Sequence, residues 1–172
     1  MTNQFKSMRV ILALAFLINS TAAHSSFYRE EETVKVIEVI DGNTLKVKTE
    51  AKDIFVIVLR GVDAPEVGQN YGNISKVAVE KRVLGKKVHL LSFGKDRFGN
   101  TLGEVRLKDG TWLHEELLQQ GLAWKSIDNN NSKHIQYELE SREKKIGLWS
   151  DTNPTPPWIF KRHKTLTTAK SS

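Results

Sequence analysis

Cysteine is absent from the 172 residues. That excludes disulfides, thiolate metal sites and thiol catalysis, and leaves packing alone to hold a core. A membrane-length apolar run is also missing. Val10 to Ile18 is well short of the roughly 20 residues that a permanent transmembrane helix takes. His114-Glu115-Glu116 is followed by Leu117 and Leu118, so the second histidine of an H-E-x-x-H zinc site is lacking. The five histidines are scattered along the chain. There is no G-x-S-x-G elbow, no phosphate-cradling glycine loop and no internal repeat.

What is present begins with an export signature. Lys6 and Arg9 precede the apolar run, and Ser20-Thr21-Ala22-Ala23 offers small residues for cleavage. Residues 1–23 read as a secretory signal peptide, which places the mature chain in the periplasm or outside the cell. An uncleaved anchor is the alternative. The formal charge is +6, and removing Lys6 and Arg9 leaves +4 on about 149 residues. That length suits one domain with one core, expected to be a monomer. A basic balance suits polyanion partners such as nucleic acid, although a solvated lysine-rich surface gives the same number.

After a polar lead-in over residues 24–32, Thr33 to Ile40 reads as a strand, and Asp41-Gly42 is a turn signal. Thr44 to Lys48 alternates, and Ile54 to Leu59 is a continuous apolar run fit for a buried strand. Three strands with short turns predict an antiparallel meander. Asn73 is placed to cap a helix whose face is Ile74, Val77, Ala78 and Leu84, closed by Gly85. Lys87 to Leu91 and Leu102 to Leu107 read as two more strands. Thr111 caps a helix carrying Leu113, Leu117 and Leu118, ended by Gly121. Ser132 caps a third helix with Ile135, Leu139 and Ile146 on one face. Five strands and about three helices over residues 33–160 predict an α+β domain, an OB-type five-stranded barrel with helical additions. The basic tail over residues 161–172 reads as solvated and disordered.

Three landmarks stand in order: Asp41-Gly42-Asn43-Thr44, then Val62-Asp63-Ala64-Pro65-Glu66, then Asp96-Arg97-Phe98-Gly99-Asn100. Together they resemble the staphylococcal-nuclease-like (thermonuclease) family, whose landmarks run D-G-D-T, R-x-x-x-x-D-x-P-E and D-x-Y-G-R. The resemblance covers about Thr33 to Trp158. It implies an OB-type barrel, a Ca²⁺ cofactor, no small-molecule cofactor, and hydrolysis of phosphodiesters in DNA or RNA. It implies Ca²⁺ ligands at Asn43 and Asp63 with the Ala64 carbonyl, and Asp41 beside them. Glu66 is the implied general base, or the group that orients the attacking water.

Departures from the pattern matter as much. Asn43 replaces an aspartate, and Val58 and Asn100 stand where the resemblance puts two phosphate-holding arginines. Guanidinium groups hold a phosphate bidentately, and neither Val nor Asn does this. Losing one such donor commonly costs about 10²–10³ in rate. Arg60 lies two residues after Val58, on the same sheet face but about 7 Å along the strand. It is the candidate substitute, and a strand bulge would bring it closer. Arg97, Phe98 and Trp124 are candidate nucleic-acid contacts, by charge and by base stacking. Core packing is the plainer role for Trp124. The tyrosines that the resemblance places after Gly121-Leu122-Ala123 are absent. Three functions stay open. One is an exported nuclease-like domain that binds nucleic acid with catalysis lost or strongly reduced. The second is a working Ca²⁺-dependent nuclease using Arg60. The third is an envelope protein-interaction module.

Overall fold

The computed structural model describes residues 31–170. The proposed signal peptide and nearly all of the lead-in lie outside them. β1 (Glu31–Asp41), β2 (Thr44–Lys48) and β3 (Ile54–Leu59) form the expected antiparallel meander. β4 (Val62–Asp63) follows, then α1 (Gly72–Val83), β5 (Lys87–Lys95) and β6 (Thr101–Arg106). The five long strands close into a barrel in the order β1-β2-β3-β6-β5, and β5 pairs back onto β1. Among the described strand pairs only β3–β6 is parallel. α2 (Leu113–Gln119), β7 (Trp124–Lys125) and α3 (Ser132–Glu143) complete the body, and β7 pairs with β4. This is the OB-type α+β barrel expected from the strand pattern.

The barrel core follows from alternation. Leu45 and Val47 of β2, and Ile57 and Leu59 of β3, are at most 1% exposed, while their neighbours face outward. Each such side chain contributes about 1.5–3 kcal/mol by leaving water.

Two helices present a different face from the one expected. In α1 the buried residues are Gly72, Ser75, Val79 and Val83, whereas Ile74, Val77 and Leu84 are exposed. The reason is close approach. A Cβ on Gly42 would lie 2.2 Å from Ser75 Oγ, and one on Gly72 would lie 1.9 Å from the Glu66 carbonyl oxygen. Small residues let α1 sit tightly behind both site loops, and the bulky residues turn outward. In α3 the buried residues are His134 and Ser141, Ile135 and Leu139 are left at the surface, and the helix ends before Ile146, which is also exposed. Asn131, not Ser132, caps α3, its side chain accepting from the backbone N–H of Lys133 and His134. Thr111 does not cap α2; Trp112 holds that position without a side-chain bond.

The tail departs most from expectation. After a 3₁₀ turn at Gly147–Ser150, α4 runs from Pro157 to Lys170. It is ordered as helix where the sequence pattern suggests a disordered extension. Trp158 of α4 packs onto the buried cluster of Trp124, Leu148 and Trp149. Among the described residues no helix is long and apolar enough to cross a membrane.

Candidate functional site

The landmark loops meet at one end of the barrel, around a cleft of about 760 Å³. Asp41 and Asn43 come from the β1–β2 turn, Asp63 from β4, Glu66 from the loop after it, and Phe98 and Asn100 from the β5–β6 turn. The turn is self-braced, since Asn43 N–H donates to Asp41 Oδ1 at 2.9 Å. It is tied to the next loop because Ala64 N–H donates to Asn43 Oδ1 at 3.3 Å. Gly42 and Gly72 let α1 clamp both loops from behind.

Strand register places Val58 and Arg60. β2 and β3 pair without a shift from Lys48–Ile54 to Thr44–Val58. No bulge moves Arg60 into the place of Val58. Both residues line the cleft, as the two-residue spacing predicts. Arg60 is engaged: its Nη1 donates to Glu104 Oε1 at 3.1 Å, and its guanidinium lies 4.2 Å from the Phe93 ring centre. Asn100 is also engaged, its Nδ2 donating to Asp96 Oδ2 at 3.0 Å and its backbone N–H to Asp96 Oδ1 at 2.9 Å. These bonds brace the β5–β6 turn.

Phe98 is 74% exposed, with the Arg97 guanidinium 4.7 Å from its ring centre. An exposed ring paired with a cation at a cleft rim suits base stacking. Trp124 does not share that role. It is 3% exposed and packs edge-on to Trp149 at 5.3 Å between ring centres. Its place on β7 beside β4 makes it a core residue.

The carboxylates carry a partner that the sequence did not reveal. Lys161 of α4 places its Nζ 3.0 Å from Glu66 Oε1 and 3.6 Å from Asp63 Oδ1. The contact spans nearly 100 residues of sequence. It is built by the α4 anchor at Trp158 and by bonds between the 66–71 loop and the C-terminal segment. Gln69 donates to the Thr155 carbonyl, Asn70 to Asp151 at 3.1 Å, and the Tyr71 and Ser150 hydroxyls lie 2.8 Å apart. Burial pushes Asp63 above the usual aspartate range; Lys161 opposes this, and Glu66 and Asp41 add to it. Burial alone would lower Lys161, but the Asp63 and Glu66 carboxylates outweigh it and raise the ammonium above its ordinary value.

Does this set fit Ca²⁺? The oxygen types do. The arrangement does not. The Asn43 amide oxygen brings no charge and already accepts from Ala64 N–H, and an ammonium lies against Asp63 and Glu66 where an ion would bind. A second cluster, His114, Glu115 and His134, offers three ligand atoms within 4.8 Å. Two histidines far apart in sequence, His114 and His134, are thus neighbours, their rings 4.8 Å apart. The hydrogen bonds argue against a metal there. Asn129 Oδ1 accepts from Asn131 N–H, and its Nδ2 donates to the Gly61 carbonyl, which fixes the amide orientation. The same Nδ2 lies 2.7 Å from His134 Nδ1, so that nitrogen accepts and the proton sits on Nε2. His134 Nε2 therefore faces Glu115, 3.9 Å away, as a donor and not as a ligand. His114 is 2% exposed, and burial lowers its pKa to about 3, keeping the ring neutral.

Comparison with known proteins agrees with this geometry. A family model described as staphylococcal nuclease homologue matches residues 56–151. An uncharacterized endonuclease of Escherichia coli O157:H7 is 35% identical over 131 residues, covering 76% of this chain and 85% of its own. A second uncharacterized endonuclease, from Haemophilus influenzae, is 32% identical over 162 residues, 94% of this chain and 90% of its own. A micrococcal nuclease of Shigella flexneri is 30% identical over 176 residues, with 94% and 96% covered.

Proposed function

The chain belongs to the staphylococcal nuclease family, and from that premise we propose an exported member that binds nucleic acid while its phosphodiester hydrolysis is lost or strongly reduced. One observation carries the reading. The cleft keeps Asp63 and Glu66, yet neither Val58 nor Asn100 offers a guanidinium to a phosphate.

Hydrolysis of a phosphodiester asks the protein for two things: a positioned water and positive charge where the phosphoryl oxygens become more negative. Glu66 has the chemistry to orient water, but here its Oε1 is held by Lys161. Arg60 has the charge to serve the phosphate, but it rests on Glu104. Binding asks for less. Arg97 and Phe98 at the rim supply charge and a stacking face, and the basic chain favours a polyanion. Export rests on the sequence of residues 1–23. Ca²⁺ binding, on this reading, is weak and demands that Lys161 move aside.

The test is a nuclease assay on residues 24–172 with Ca²⁺, using heat-denatured DNA and RNA. Beside it runs the triple variant Asn43→Asp, Val58→Arg, Asn100→Arg. A silent natural protein and a triple variant faster by about 10² or more are expected. Efficient cutting by the natural protein, lost in Arg60→Ala, would instead establish the working nuclease with Arg60 recruited. Binding to single-stranded DNA that weakens steeply with salt separates both from a protein-interaction module, because phosphate contacts release counterions.

A further inference from the structure

We propose that Lys161 is the resident cation of the carboxylate cluster, taking the role a divalent ion would have there, so that the cleft binds nucleic acid without Ca²⁺. The idea rests on the nucleic-acid reading above for its ligand, but its core is a statement about cations.

The contact is built and not incidental. α4 is anchored by Trp158 in the tryptophan cluster, and the 66–71 loop is bonded to the segment that leads into it. Lys161 lies one helical turn after Trp158, on the same side of α4. The ammonium therefore arrives at the cleft from a fixed base. It meets the two carboxylates most central to the cluster, at 3.0 and 3.6 Å.

Charge explains why two departures occur together. With an aspartate at position 43, the cluster would hold four acids, and a divalent ion would leave a net charge of −2. With Asn43, three acids remain near one another: Asp41, Asp63 and Glu66. One ammonium again leaves −2. The exchange of carboxylate for amide and the exchange of divalent ion for ammonium compensate each other. Asn43 alone would leave a divalent site short of one negative charge, and Lys161 alone would compete with a metal for Asp63 and Glu66. Together they give a cluster that needs no metal to stand beside a phosphate.

Phosphate approaching three bare carboxylates would be repelled, and a cation among them removes much of that repulsion. An ammonium is a compact point charge on a flexible stem, suited to reach between carboxylates and a neighbouring anion. The site becomes cation-complete by folding and not by metal loading.

The experiment uses residues 24–172 with four forms: natural, Lys161→Met, Lys161→Arg, and Arg162→Met as a control with the same loss of formal charge. Calorimetric titration with Ca²⁺ alone, without nucleic acid, is the first readout. Lys161→Met is expected to bind Ca²⁺ at least tenfold more tightly than the natural chain, and Arg162→Met within about twofold of it. Equal Ca²⁺ affinity in the natural and Lys161→Met forms overturns the proposal. The second readout is affinity for a single-stranded oligonucleotide, in EDTA and in Ca²⁺. The natural chain is expected to bind equally in both. Lys161→Met should lose about tenfold in EDTA and recover in Ca²⁺, while Lys161→Arg keeps its EDTA affinity. A natural chain that needs Ca²⁺ to bind the oligonucleotide also overturns it. If no form binds the oligonucleotide, the nucleic-acid reading fails, and the Ca²⁺ titration still decides whether Lys161 is the resident cation. Far-UV circular dichroism of each form confirms that the comparison is between folded proteins.

Discussion

Two of the cation–carboxylate junctions in this molecule differ in almost every respect. Outside the cleft, Arg82 of α1 grips Glu116 of α2 at 2.8 Å and Asp109 at 2.6 Å. In the cleft, Lys161 of α4 touches Glu66 at 3.0 Å and Asp63 at 3.6 Å. The first uses a planar fork whose hydrogens meet two carboxylates at once. The second uses a point charge at longer range. Both cations pull their acids down, yet the two acids end shifted in opposite directions. The Arg82 bond pulls Asp109 down to about 2, well below its ordinary value of 3.8. Burial pushes Asp63 up in spite of Lys161. One junction satisfies its charges and is finished. The other leaves a half-buried acid under-compensated, which is the state in which functional carboxylates are commonly found. A junction that fully satisfies its acids holds a fold; one that does not leaves room for another charge.

The contrast breaks most severely if the base under Lys161 is removed. Trp158 is partly buried against Trp124, Leu148 and Trp149. Core aromatic-to-alanine changes cost about 3–5 kcal/mol, so for this half-buried ring Trp158→Ala is expected to cost about 2 kcal/mol. α4 should loosen while the barrel stays folded. Hydrogen exchange over residues 157–164 is expected to speed up by at least tenfold, and Ca²⁺ affinity to rise as it does for Lys161→Met. Unchanged exchange in that segment would show that α4 is held by something other than the tryptophan cluster.

A smaller effect is expected inside the cleft. Glu104→Gln removes the carboxylate that holds Arg60. The guanidinium keeps its place over Phe93 and turns its donors to the cleft. Affinity for single-stranded DNA is expected to rise about threefold to tenfold, with a salt slope steeper by about one counterion. A salt slope identical to that of the natural chain would mean that Arg60 does not reach the phosphates even when released.

The barrel was legible from sequence because alternation and burial coincide in it. β2 and β3 match their expected bounds residue for residue, since Leu45, Val47, Ile57 and Leu59 are both the apolar residues and the buried ones. The helices were harder because bulk and burial part company. Ser75 is fully buried on α1 while Ile74 beside it is 54% exposed, because tight approach to Gly42 rewards small side chains over apolar ones. The cleft was half legible. Asp41, Asn43, Asp63, Ala64 and Glu66 do come together, and Val58 and Asn100 line the same cleft. Lys161 was invisible, since no local pattern distinguishes it from the neighbouring basic residues of its segment. The available signal was Trp158, whose apolar ring in a polar tail marks a segment that packs back on the body.

The smallest expected change lies at the junction outside the cleft. Arg82→Met keeps the stem and removes the fork. Asp109 then loses the bond that depresses its pKa. A carboxylate with a lowered folded-state pKa adds stability that is fully present above its unfolded value, near 3.8, and is lost as pH falls toward about 2. The natural chain should therefore exceed Arg82→Met in urea midpoint at pH 7, and the gap should close between about pH 4 and pH 2. The difference at neutral pH is expected to be modest, because these groups are partly exposed and water screens them. Ca²⁺ and oligonucleotide affinities should not move. A gap that persists unchanged to pH 2 would mean that the Arg82 guanidinium acts independently of the charge on Asp109. A change in Ca²⁺ affinity would mean that the two junctions communicate, and that the division between a holding bridge and a working one is too sharp.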